Sequence, residues 1–366
     1  MIPPGPSKCV AILLSSQARR PTGQTDWVRQ TSCAVAEIKQ KGFGIVSSVG
    51  LSTWDLITSL ASNHQVPLRL LIPNEPKGDF GCRSDEIICD FGLRRDLVDF
   101  IPVFTESATS EQAMMLRDQS VVEQASELWP ISLRPGGRMS SVIDSVLAQG
   151  KVIERRFEIT YNARHPFLKY TVDHSRLSPQ IRNISSEYLV HWTRTANYSW
   201  PGERTVDYWQ SVVASDSYCH SALDTLRRVL YTKCIRASSR HMPAGFSTVA
   251  FSSLSPVEVL PLMRWRARYG EMSLEPYGIG IQLDSAMAQQ ILPVSYVDSH
   301  RPTCVTPWLC QSIGAKTDWR AEREYRHLGN LDLGKCADSD LIVFTLLQSE
   351  ADAISRDFGL RAVSFY

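Results

Sequence analysis

Residues 42–73, GFGIVSSVGLSTWDLITSLASNHQVPLRLLIP, contain two short apolar runs separated by a small-residue turn and a helix-length segment. Apolar runs of this length predict buried strands, and Thr53 is placed to cap the helix between them. The apolar run Cys9–Ser16 and the amphipathic segment Asp26–Lys41 precede this stretch, which gives the order β-α-β-α-β. Because parallel strands need such crossover connections, the sequence predicts a doubly wound, Rossmann-like α/β sheet.

The rest of the first half continues this alternation, whereas the second half does not. After a predicted loop over Asn74–Asp90, the predicted elements are a strand at Leu97–Phe104, a helix at Glu111–Ala125, a strand at Glu127–Arg134, a helix at Met139–Gln149 and a strand at Lys151–Ile159. In the second half, strands and helices follow each other without strict order, which is typical of α+β domains. We therefore predict an α/β domain over residues 1–165, a linker over 166–185 and an α+β domain over 186–366.

The composition predicts a soluble, cytoplasmic protein. The chain has 39 basic and 38 acidic residues, and this near-neutral balance argues against nonspecific nucleic-acid binding through overall charge. Its nine cysteines are scattered without CxxC or zinc-type spacing, which predicts free, buried thiols and no metal site. The first residues lack the features of a signal peptide, and no apolar run approaches the roughly 20 residues of a membrane helix. We therefore expect no membrane partner.

Two turns in the first half are suited to a phosphate-bearing ligand. SSVG at 47–50 lies between a strand and a helix, where small residues let the backbone approach a phosphate. RPGGR at 134–138 also follows a strand, and ligands bind at the carboxyl ends of strands in open α/β sheets. The candidate binding residues are Ser47, Ser48, Gly50, Arg117, Arg134, Gly136 and Gly137. The alternatives are a surface salt bridge for Arg117 and an ordinary charged turn at 134–138.

The stretch 42–73 resembles the second strand, glycine-serine turn, helix and third strand of the SLOG superfamily, which includes DNA-processing protein A and lysine-decarboxylase-like nucleotide hydrolases. RDQSVVEQASELWPISLRPGGRMSSVIDSVLAQGKVI at 117–153 resembles the family's later helix, strand, turn and helix. By this resemblance Asp55 stands at the family's acidic position, and the ligand would be a nucleotide, a nucleotide-derived signal or a nucleic-acid end. Ser48 and Val49 depart from the expected glycine or alanine, and hydrolase-type acidic motifs are not evident, so we expect binding rather than catalysis. The resemblance is also compatible with a homo-oligomer.

The second half holds a series of motifs suited to cleavage of NAD. They are HWT at 191–193, RASSR at 236–240, FSTVAFSSLSP at 246–256, YGI at 277–279 and WRAEREYR at 319–326. A carboxylate beside the ribose can stabilise an oxocarbenium-like transition state, and a histidine can bind a ribose hydroxyl. An aromatic ring can stack on the nicotinamide, and an arginine can hold the diphosphate.

In this order the motifs resemble the ADP-ribosyltransferase fold, in particular the branch with DarT-like DNA-modifying toxins and abortive-infection effectors. The resemblance implies NAD as substrate, His191 and Thr193 as contacts to the ribose or nicotinamide, Arg236 or Arg240 as an assisting cation, Ser252 as a further NAD contact, Tyr277 as a structural or stacking residue, and Glu324 as the catalytic carboxylate with Glu322 as the alternative. On one strand both glutamates would face the same side. Residues 196–219 have no clear counterpart and are expected to form a loop over the site.

Each of these motifs also has an ordinary structural interpretation. His191 can be a semi-buried histidine whose hydrogen bonds are satisfied, and EREYR at 322–326 can be a solvated strand edge. RWRAR at 264–268 can bind nucleic acid with Trp265 stacking on a base, or it can be a helix with one apolar stripe.

The sequence leaves three functions open. The first is a toxin or anti-phage defence effector, in which nucleotide binding to the first domain gates an ADP-ribosyltransferase or NAD glycohydrolase with DNA, RNA, protein or water as acceptor. The second is a catalytically inactive nucleotide- or nucleic-acid-binding protein. The third is a nucleic-acid-modifying enzyme whose first domain holds DNA or RNA.

Overall fold

The chain forms two compact units, and its path through them is not a simple succession. The computed structural model describes residues 8–74, 79–104, 110–147, 150–162, 170–240, 242–267, 270–298, 306–313 and 319–366. The first unit comprises Met1–Pro166 and Asn197–Cys219, and the second comprises Phe167–Ala196 and His220–Tyr366. We call residues 197–219 the arm.

The helices and strands follow in chain order. The strands are β1 Cys9–Leu14, β2 Gly44–Ser47, β3 Leu68–Asn74, β4 Val98–Phe104, β5 Glu127–Ser132, β6 Val152–Ile153, β7 Tyr188–Trp192, β8 Cys234–Ile235, β9 Thr248–Ser252, β10 Trp265–Arg266, β11 Glu271–Met272, β12 Gly278–Gln282, β13 Leu292–Pro293, β14 Ser295–Asp298, β15 Cys310–Ile313, β16 Glu324–Leu328, β17 Leu331–Asp332, β18 Leu341–Thr345 and β19 Arg361–Ser364. The helices are α1 Asp26–Gln40, α2 Ser52–Asn63, α3 Phe80–Phe91, α4 Ser110–Gln124, α5 Arg138–Leu147, α6 Pro179–Asn183, α7 Thr205–Ala214, α8 Ala222–Thr232, α9 Leu283–Ala288 and α10 Gln348–Phe358. Short 3-10 helices span Arg95–Leu97, His174–Arg176, Leu260–Leu262, Pro307–Leu309, Trp319–Glu322, Leu333–Lys335 and Asp338–Asp340.

The first unit is built on a six-stranded parallel sheet in the order β4-β3-β2-β1-β5-β6. All six residues of β1 are buried, as expected for a central strand of a parallel sheet with both faces covered. The predicted Rossmann-like α/β architecture is therefore confirmed. The strand order reverses between β1 and β5, because the chain runs outward from β1 to β4 and then returns to the other side of β1. Such a reversal is where open α/β sheets bind their ligands.

The arm completes the core of the first unit. Its helix α7 buries Tyr208, Trp209 and Val212 in the same hydrophobic cluster as β1 and β2. The ring of Trp209 meets that of Trp27 edge to face, with centroids 6.1 Å apart. We predicted residues 196–219 as a loop of the second domain, but residues 197–219 hold a helix whose apolar side chains pack in the first unit.

The second unit is built on a mixed seven-stranded sheet in the order β13-β16-β9-β7-β12-β18-β19. Its strand pairs are antiparallel except for β18 and β19. Strand β7 alternates between the two faces: Leu189 packs in one hydrophobic cluster with Leu226 of α8, whereas Val190 and Trp192 pack in another with Ile181 of α6. The predicted mixture of strands and helices is thus present.

Part of the predicted linker is a packed element of the second unit. Ser178 caps α6 by accepting a hydrogen bond from the backbone N–H of Ile181 at 3.3 Å. Leu177, Ile181 and Ile184 are buried in the second unit's core. Residues 166–169 of the predicted linker lie outside the described residues.

The thiols and the helices also bear on the sequence predictions. Free thiols are present at Cys9, Cys33, Cys82, Cys89, Cys219, Cys234 and Cys336. Three of them, Cys33, Cys82 and Cys89, are exposed, because they lie on the outer faces of helices rather than in a core. Cys310 is disulfide-bonded, so the prediction of free, buried thiols is wrong for these four residues.

In the described part of the chain, no helix has both the length and the apolar character to cross a membrane.

Candidate functional site

The serine-glycine turn after β2 is held closed by its own side chains. The hydroxyl of Ser48 donates to the carbonyl oxygen of Leu71 at 2.7 Å, and Thr58 donates to the carbonyl oxygen of Ser48 at 3.0 Å. Ser47 is fully buried, and its hydroxyl lies 3.4 Å from that of Thr58. Gly50 has a φ of +90°, a conformation that glycine adopts without strain. The two serines therefore shape the turn.

Asp55, the predicted acidic residue, closes this turn from the first turn of α2. One carboxylate oxygen accepts the backbone N–H of Gly50 at 2.8 Å, and the other accepts the hydroxyl of Tyr198 in the arm. Burial raises the pKa of Asp55 to about 6, against the lowering effect of these two hydrogen bonds. The carboxylate of Asp90 also raises the pKa of Asp55, and the guanidinium of Arg117 lowers it.

Arg117 lies inside the first unit, so its predicted alternative as a surface salt bridge is wrong. Its Nε and Nη2 donate to one oxygen of Asp118 at 3.0 and 2.8 Å. The second oxygen of Asp118 accepts from Arg138 at 3.2 Å. Both partners of the pair are about 4% exposed at the side chain, which fixes the guanidinium in one orientation. Its electrostatic effect on Asp55 links α4 to the turn after β2.

The second predicted turn, at 134–138, lies beside β1 where the strand order reverses. The backbone N–H of Arg134 donates to the hydroxyl of Ser15 at 2.9 Å, and the N–H of Gly137 donates to the carbonyl oxygen of Arg134 at 2.9 Å. A Cβ on Gly137 would lie 2.9 Å from that carbonyl oxygen, so the tight turn requires glycine there. Gly136 has a φ of +66°. The side chain of Arg134 is exposed.

A buried hydroxyl lies at the same edge of the sheet. Ser132 ends β5, and its Oγ is buried with no hydrogen-bond partner among the described residues. The side-chain amide of Gln17 donates to the carbonyl oxygens of Ser15 and Ser132 at 3.0 and 3.1 Å. The carboxyl ends of β1 and β5 are thus lined by polar groups that sequence reasoning passed over.

In the second unit, three predicted NAD contacts use their polar atoms within the protein. The hydroxyl of Thr193 donates to the carbonyl oxygens of Ala222 and Tyr277 at 2.9 and 3.1 Å. The hydroxyl of Tyr277 donates to Glu350 at 3.1 Å. The hydroxyl of Ser252 donates to the carbonyl oxygen of Glu322 at 2.7 Å. Thr193, Tyr277 and Ser252 are buried, and these contacts favour structural roles for them.

His191 is likewise engaged within the sheet. Its Nδ1 lies 2.9 Å from the carbonyl oxygen of Ala250, and its ring meets that of Phe251 at 5.7 Å. Burial lowers the pKa of His191, and the nearby Arg194 lowers it further. The neutral imidazole is therefore the favoured form.

Glu324 is held in a buried ion pair. The Nε and Nη2 of Arg326 donate to its two oxygens at 2.8 and 2.9 Å. Arg326 also donates to the carbonyl oxygen of Trp308 at 2.9 Å and to the side chain of Gln311 at 2.7 Å. The side chains of Glu324 and Arg326 are 13% and 3% exposed. The carboxylate of Glu324 is therefore committed to Arg326 on the same face of β16.

Strand register places Glu324 and His191 on opposite faces of the sheet. Glu324 pairs with Ser252, and Ser252 pairs with Val190, so these three residues share a face. His191 follows Val190 on β7 and lies on the other face, together with Leu189. The sheet does not bring the predicted histidine and carboxylate together.

Glu322 occupies a different environment. It ends a 3-10 helix before β16, and Arg323 has a φ of +44°, so the expected alternation from Glu322 to Glu324 is wrong. No hydrogen bond or ion pair reaches its carboxylate from the residues that the structure describes. Burial raises the pKa of Glu322, and the charge of Glu324 raises it further. Arg266, Arg194 and Arg264 act in the opposite direction, which places three guanidinium groups within electrostatic range of Glu322.

Glu271 lies near two arginines, one of which, Arg194, also acts electrostatically on Glu322. The Oε1 of Glu271 lies 3.7 Å from Nη1 of Arg194 and 3.6 Å from Nη2 of Arg240. Glu271 also pairs with Arg266 across the β10–β11 hairpin. Of the two predicted assisting cations, Arg240 thus belongs to this cluster, whereas Arg236 is exposed and forms no ion pair among the described residues.

Sequence reasoning missed Arg194 and Glu271 and misjudged Arg266. Arg194 directly follows the HWT motif, but its relation to Glu271 depends on a contact across 77 residues. Residues 265 and 266 form a strand, so the helical alternative for 264–268 is wrong, and Arg268 lies outside the described residues. Within the described ranges, no group of three or more His, Cys, Asp or Glu side chains is arranged to hold a metal ion.

Comparisons with known proteins add little to this geometry. No family model matches the chain, and no curated protein matches it. Among solved structures, it is similar to DNA processing protein A from Helicobacter pylori, described for its mode of binding single-stranded DNA. That match has 17% sequence identity and a TM-score of 0.30, and it covers 43% of this chain and 69% of the other. A TM-score of this size does not establish a shared fold, and the comparison therefore does not identify the family of the chain.

Proposed function

We propose that the second unit binds NAD and breaks its N-glycosidic bond, passing ADP-ribose to an acceptor or to water, with Glu322 as the catalytic carboxylate. The observation that carries this proposal is the environment of Glu322. Its carboxylate has no hydrogen-bond or ion-pair partner among the described residues, the residue is half-buried, and it lies in the field of Arg194, Arg264 and Arg266. Such a combination of perturbed carboxylate and cations is common at functional sites.

The chemistry follows from this arrangement. The bond between the anomeric carbon and the nicotinamide nitrogen breaks, and nicotinamide leaves with the electron pair. The carboxylate of Glu322 stabilises the positive charge that develops on the ribose. It then accepts the proton of the attacking hydroxyl or water as the new carbon–oxygen bond forms. The protein therefore needs Glu322 ionised, and we expect activity to rise with pH through its raised pKa.

We choose Glu322 over Glu324 because its carboxylate is not held by an ion pair among the described residues. A carboxylate that receives two donors from Arg326 would have to break that pair to reach a substrate. Glu322 has no such pair among the described residues, and Ser252 holds its backbone in place. The role first assigned to Glu324 is therefore better served by its neighbour.

The test measures nicotinamide release from NAD by the intact chain. We expect Glu322→Gln to lower the rate by about a hundredfold or more, the scale of losing a key electrostatic group. Its melting temperature at pH 7.5 should be unchanged or higher, because the folded state disfavours the ionised carboxylate. Glu187→Gln, an exposed glutamate in the same unit, serves as the matched control. Equal rates for Glu322→Gln and the natural chain would remove Glu322 from the mechanism.

We further propose that the first unit binds a nucleotide, a nucleotide-derived signal or a nucleic-acid end, as its SLOG-like sequence implies, and thereby gates the second unit. The support is the polar edge where the strand order reverses, with the exposed Arg134 beside it. In bacteria such a protein would act as a toxin or anti-phage effector. Expression of the intact chain should then slow growth, and Glu322→Gln should relieve this effect.

A binding protein without catalysis is the second candidate. Arg134 favours it, because an exposed arginine at the edge where the strand order reverses can hold a phosphate whether or not the second unit is active. Thermal shift with a nucleotide panel and a single-stranded oligonucleotide separates the two functions. Stabilisation that Arg134→Ala abolishes, with no nicotinamide release under any condition, would favour the binding protein. Labelling of DNA or RNA by the intact chain with NAD would instead identify a nucleic-acid-modifying enzyme.

A further inference from the structure

We propose that Arg194 and Arg240, gathered on Glu271 and flanked by Arg266, form a binding site for the diphosphate of a dinucleotide. The proposal rests on the proposed function, because it supplies the part of the substrate that Glu322 does not touch. The sequence did not single out Arg194 or Glu271 as ligand contacts, and it considered Arg266 only as part of a stretch that can bind nucleic acid.

The two guanidinium groups are held near one carboxylate, but at distances that are long for an ion pair. One oxygen of Glu271 faces both guanidinium groups, at 3.7 Å from Arg194 and 3.6 Å from Arg240. Both distances exceed those of good charge-assisted hydrogen bonds, which lie near 2.7–2.9 Å in proteins generally, by about an ångström. The carboxylate therefore orients the two arginines without forming a short hydrogen bond to either of them.

The exposure of these side chains leaves room for a ligand. The side chain of Glu271 is 12% exposed, whereas those of Arg194 and Arg240 are 39% and 50% exposed. The carboxylate thus lies beneath two guanidinium groups that solvent can reach. This is the arrangement expected when an anion approaches from outside and the acidic residue fixes the cations from within.

The crowding of cations around Arg194 favours an anionic ligand. Burial lowers the pKa of Arg194 and Glu271 raises it, whereas Arg240 and Arg266 act as like charges that lower it. Glu275 opposes them, but its two oxygens accept the backbone N–H and the hydroxyl of Thr195 at 2.7 and 2.9 Å. A diphosphate carries two negative charges and several acceptor oxygens, so it would relieve this repulsion and suit the forked guanidinium groups.

The position of the cluster relates it to the reacting bond. Arg194 and Arg266 both act electrostatically on Glu322. In the proposed complex, the diphosphate lies on the arginines and the ribose lies beside that carboxylate. A nucleic-acid backbone has the same phosphate chemistry, but the cluster is small, so we assign it to a dinucleotide.

The experiment measures binding by calorimetry to the intact chain carrying Glu322→Gln, so that no ligand is consumed. The probes are ADP-ribose, inorganic pyrophosphate, adenosine and a single-stranded oligonucleotide. We expect ADP-ribose to bind, adenosine to bind at least tenfold more weakly, and Arg194→Ala or Arg240→Ala to weaken ADP-ribose about tenfold or more, the scale of a lost charge-assisted contact. Glu271→Gln should weaken it less.

Arg356→Ala is the matched control, because Arg356 is a highly exposed arginine of the second unit in a simple pair with Asp357. Its affinity for ADP-ribose should not change. Undiminished affinity in the Arg194→Ala/Arg240→Ala double variant, or no binding of ADP-ribose or pyrophosphate at all, would overturn the diphosphate site. Tighter, arginine-dependent binding of the oligonucleotide would overturn the assignment to a dinucleotide. If the natural chain released no nicotinamide while arginine-dependent binding of ADP-ribose remained, the proposed NAD cleavage would be rejected and the diphosphate site would stand.

Discussion

At the scale of single residues, the two neighbouring glutamates show how much a carboxylate depends on its surroundings. Glu324 lies in the sheet with Arg326 and contributes to the fold, whereas Glu322, two positions earlier, is unpaired among the described residues. By resemblance Glu324 was expected to be the catalytic carboxylate, with Glu322 as the alternative. The motif does not show the left-handed conformation at Arg323, which rotates the backbone between the two residues.

Glu324→Gln should destabilise the protein. The change leaves the guanidinium of Arg326, whose side chain is 3% exposed, without its counter-charge. Breaking a buried pair in this way costs about 3 kcal/mol or more of the free energy of unfolding. Urea unfolding of the variant measures this loss, with Glu187→Gln as the exposed control. Adding Arg326→Met should recover much of it, and a single variant as stable as the natural chain would contradict the assignment.

Asp55 should make the first unit less stable as the pH rises. Its pKa is about 6 in the folded protein and near 3.8 in the unfolded chain, so the folded state prefers the protonated form. That preference stabilises the protein below the unfolded value and is lost as the pH rises through 6. The gain in free energy of unfolding from Asp55→Asn should therefore be about 2 kcal/mol larger at pH 8 than at pH 4. Urea titrations at both pH values measure it, and a gain independent of pH would refute the pKa shift.

At the scale of elements, the first unit was the more predictable because its strands are long, buried and separated by helices. The apolar runs at β1, β2 and β3 were enough to predict the parallel sheet, and these strands do pair in parallel. The helix α3 was wrongly predicted as a loop over 74–90. Asp79 caps this helix by accepting from the N–H of Cys82 at 3.1 Å, and Ile87 and Phe91 bury its apolar side. Glycine and charged residues had obscured that short pattern.

The second unit was less predictable because its candidate site is made by distant contacts. Motif order led to His191, Thr193, Ser252 and Tyr277, yet each of these has its side chain engaged with the protein's own backbone or side chains. Periodicity says which face of a strand a residue occupies only when the strand boundaries are known. Arg194 lies just after β7, and its partner Glu271 begins β11. No local sequence pattern predicts a contact between residues so far apart in the chain.

At the scale of the whole molecule, we expect the first unit to need the arm in order to be stable as an isolated fragment. A fragment of residues 1–166 lacks Trp209, which packs on Trp27, and Tyr198, which donates to Asp55. We expect it to aggregate or to unfold at a clearly lower denaturant concentration than residues 1–166 joined to 197–219 by a glycine-serine linker. Circular dichroism during urea unfolding compares the two. Equal stability would mean that the arm contributes nothing to the first unit's core.

The path of the arm also bears on how such a protein can change over generations. The chain passes between the units after residues 166, 196 and 219. A single genetic crossover therefore cannot combine the complete first unit of one parent with the complete second unit of another. Recombination between two related genes would have to replace the arm together with the first 166 residues, or the hybrid would combine a Tyr198 from one parent with an Asp55 from the other. The two units are consequently expected to be inherited together, as one indivisible stretch of coding sequence.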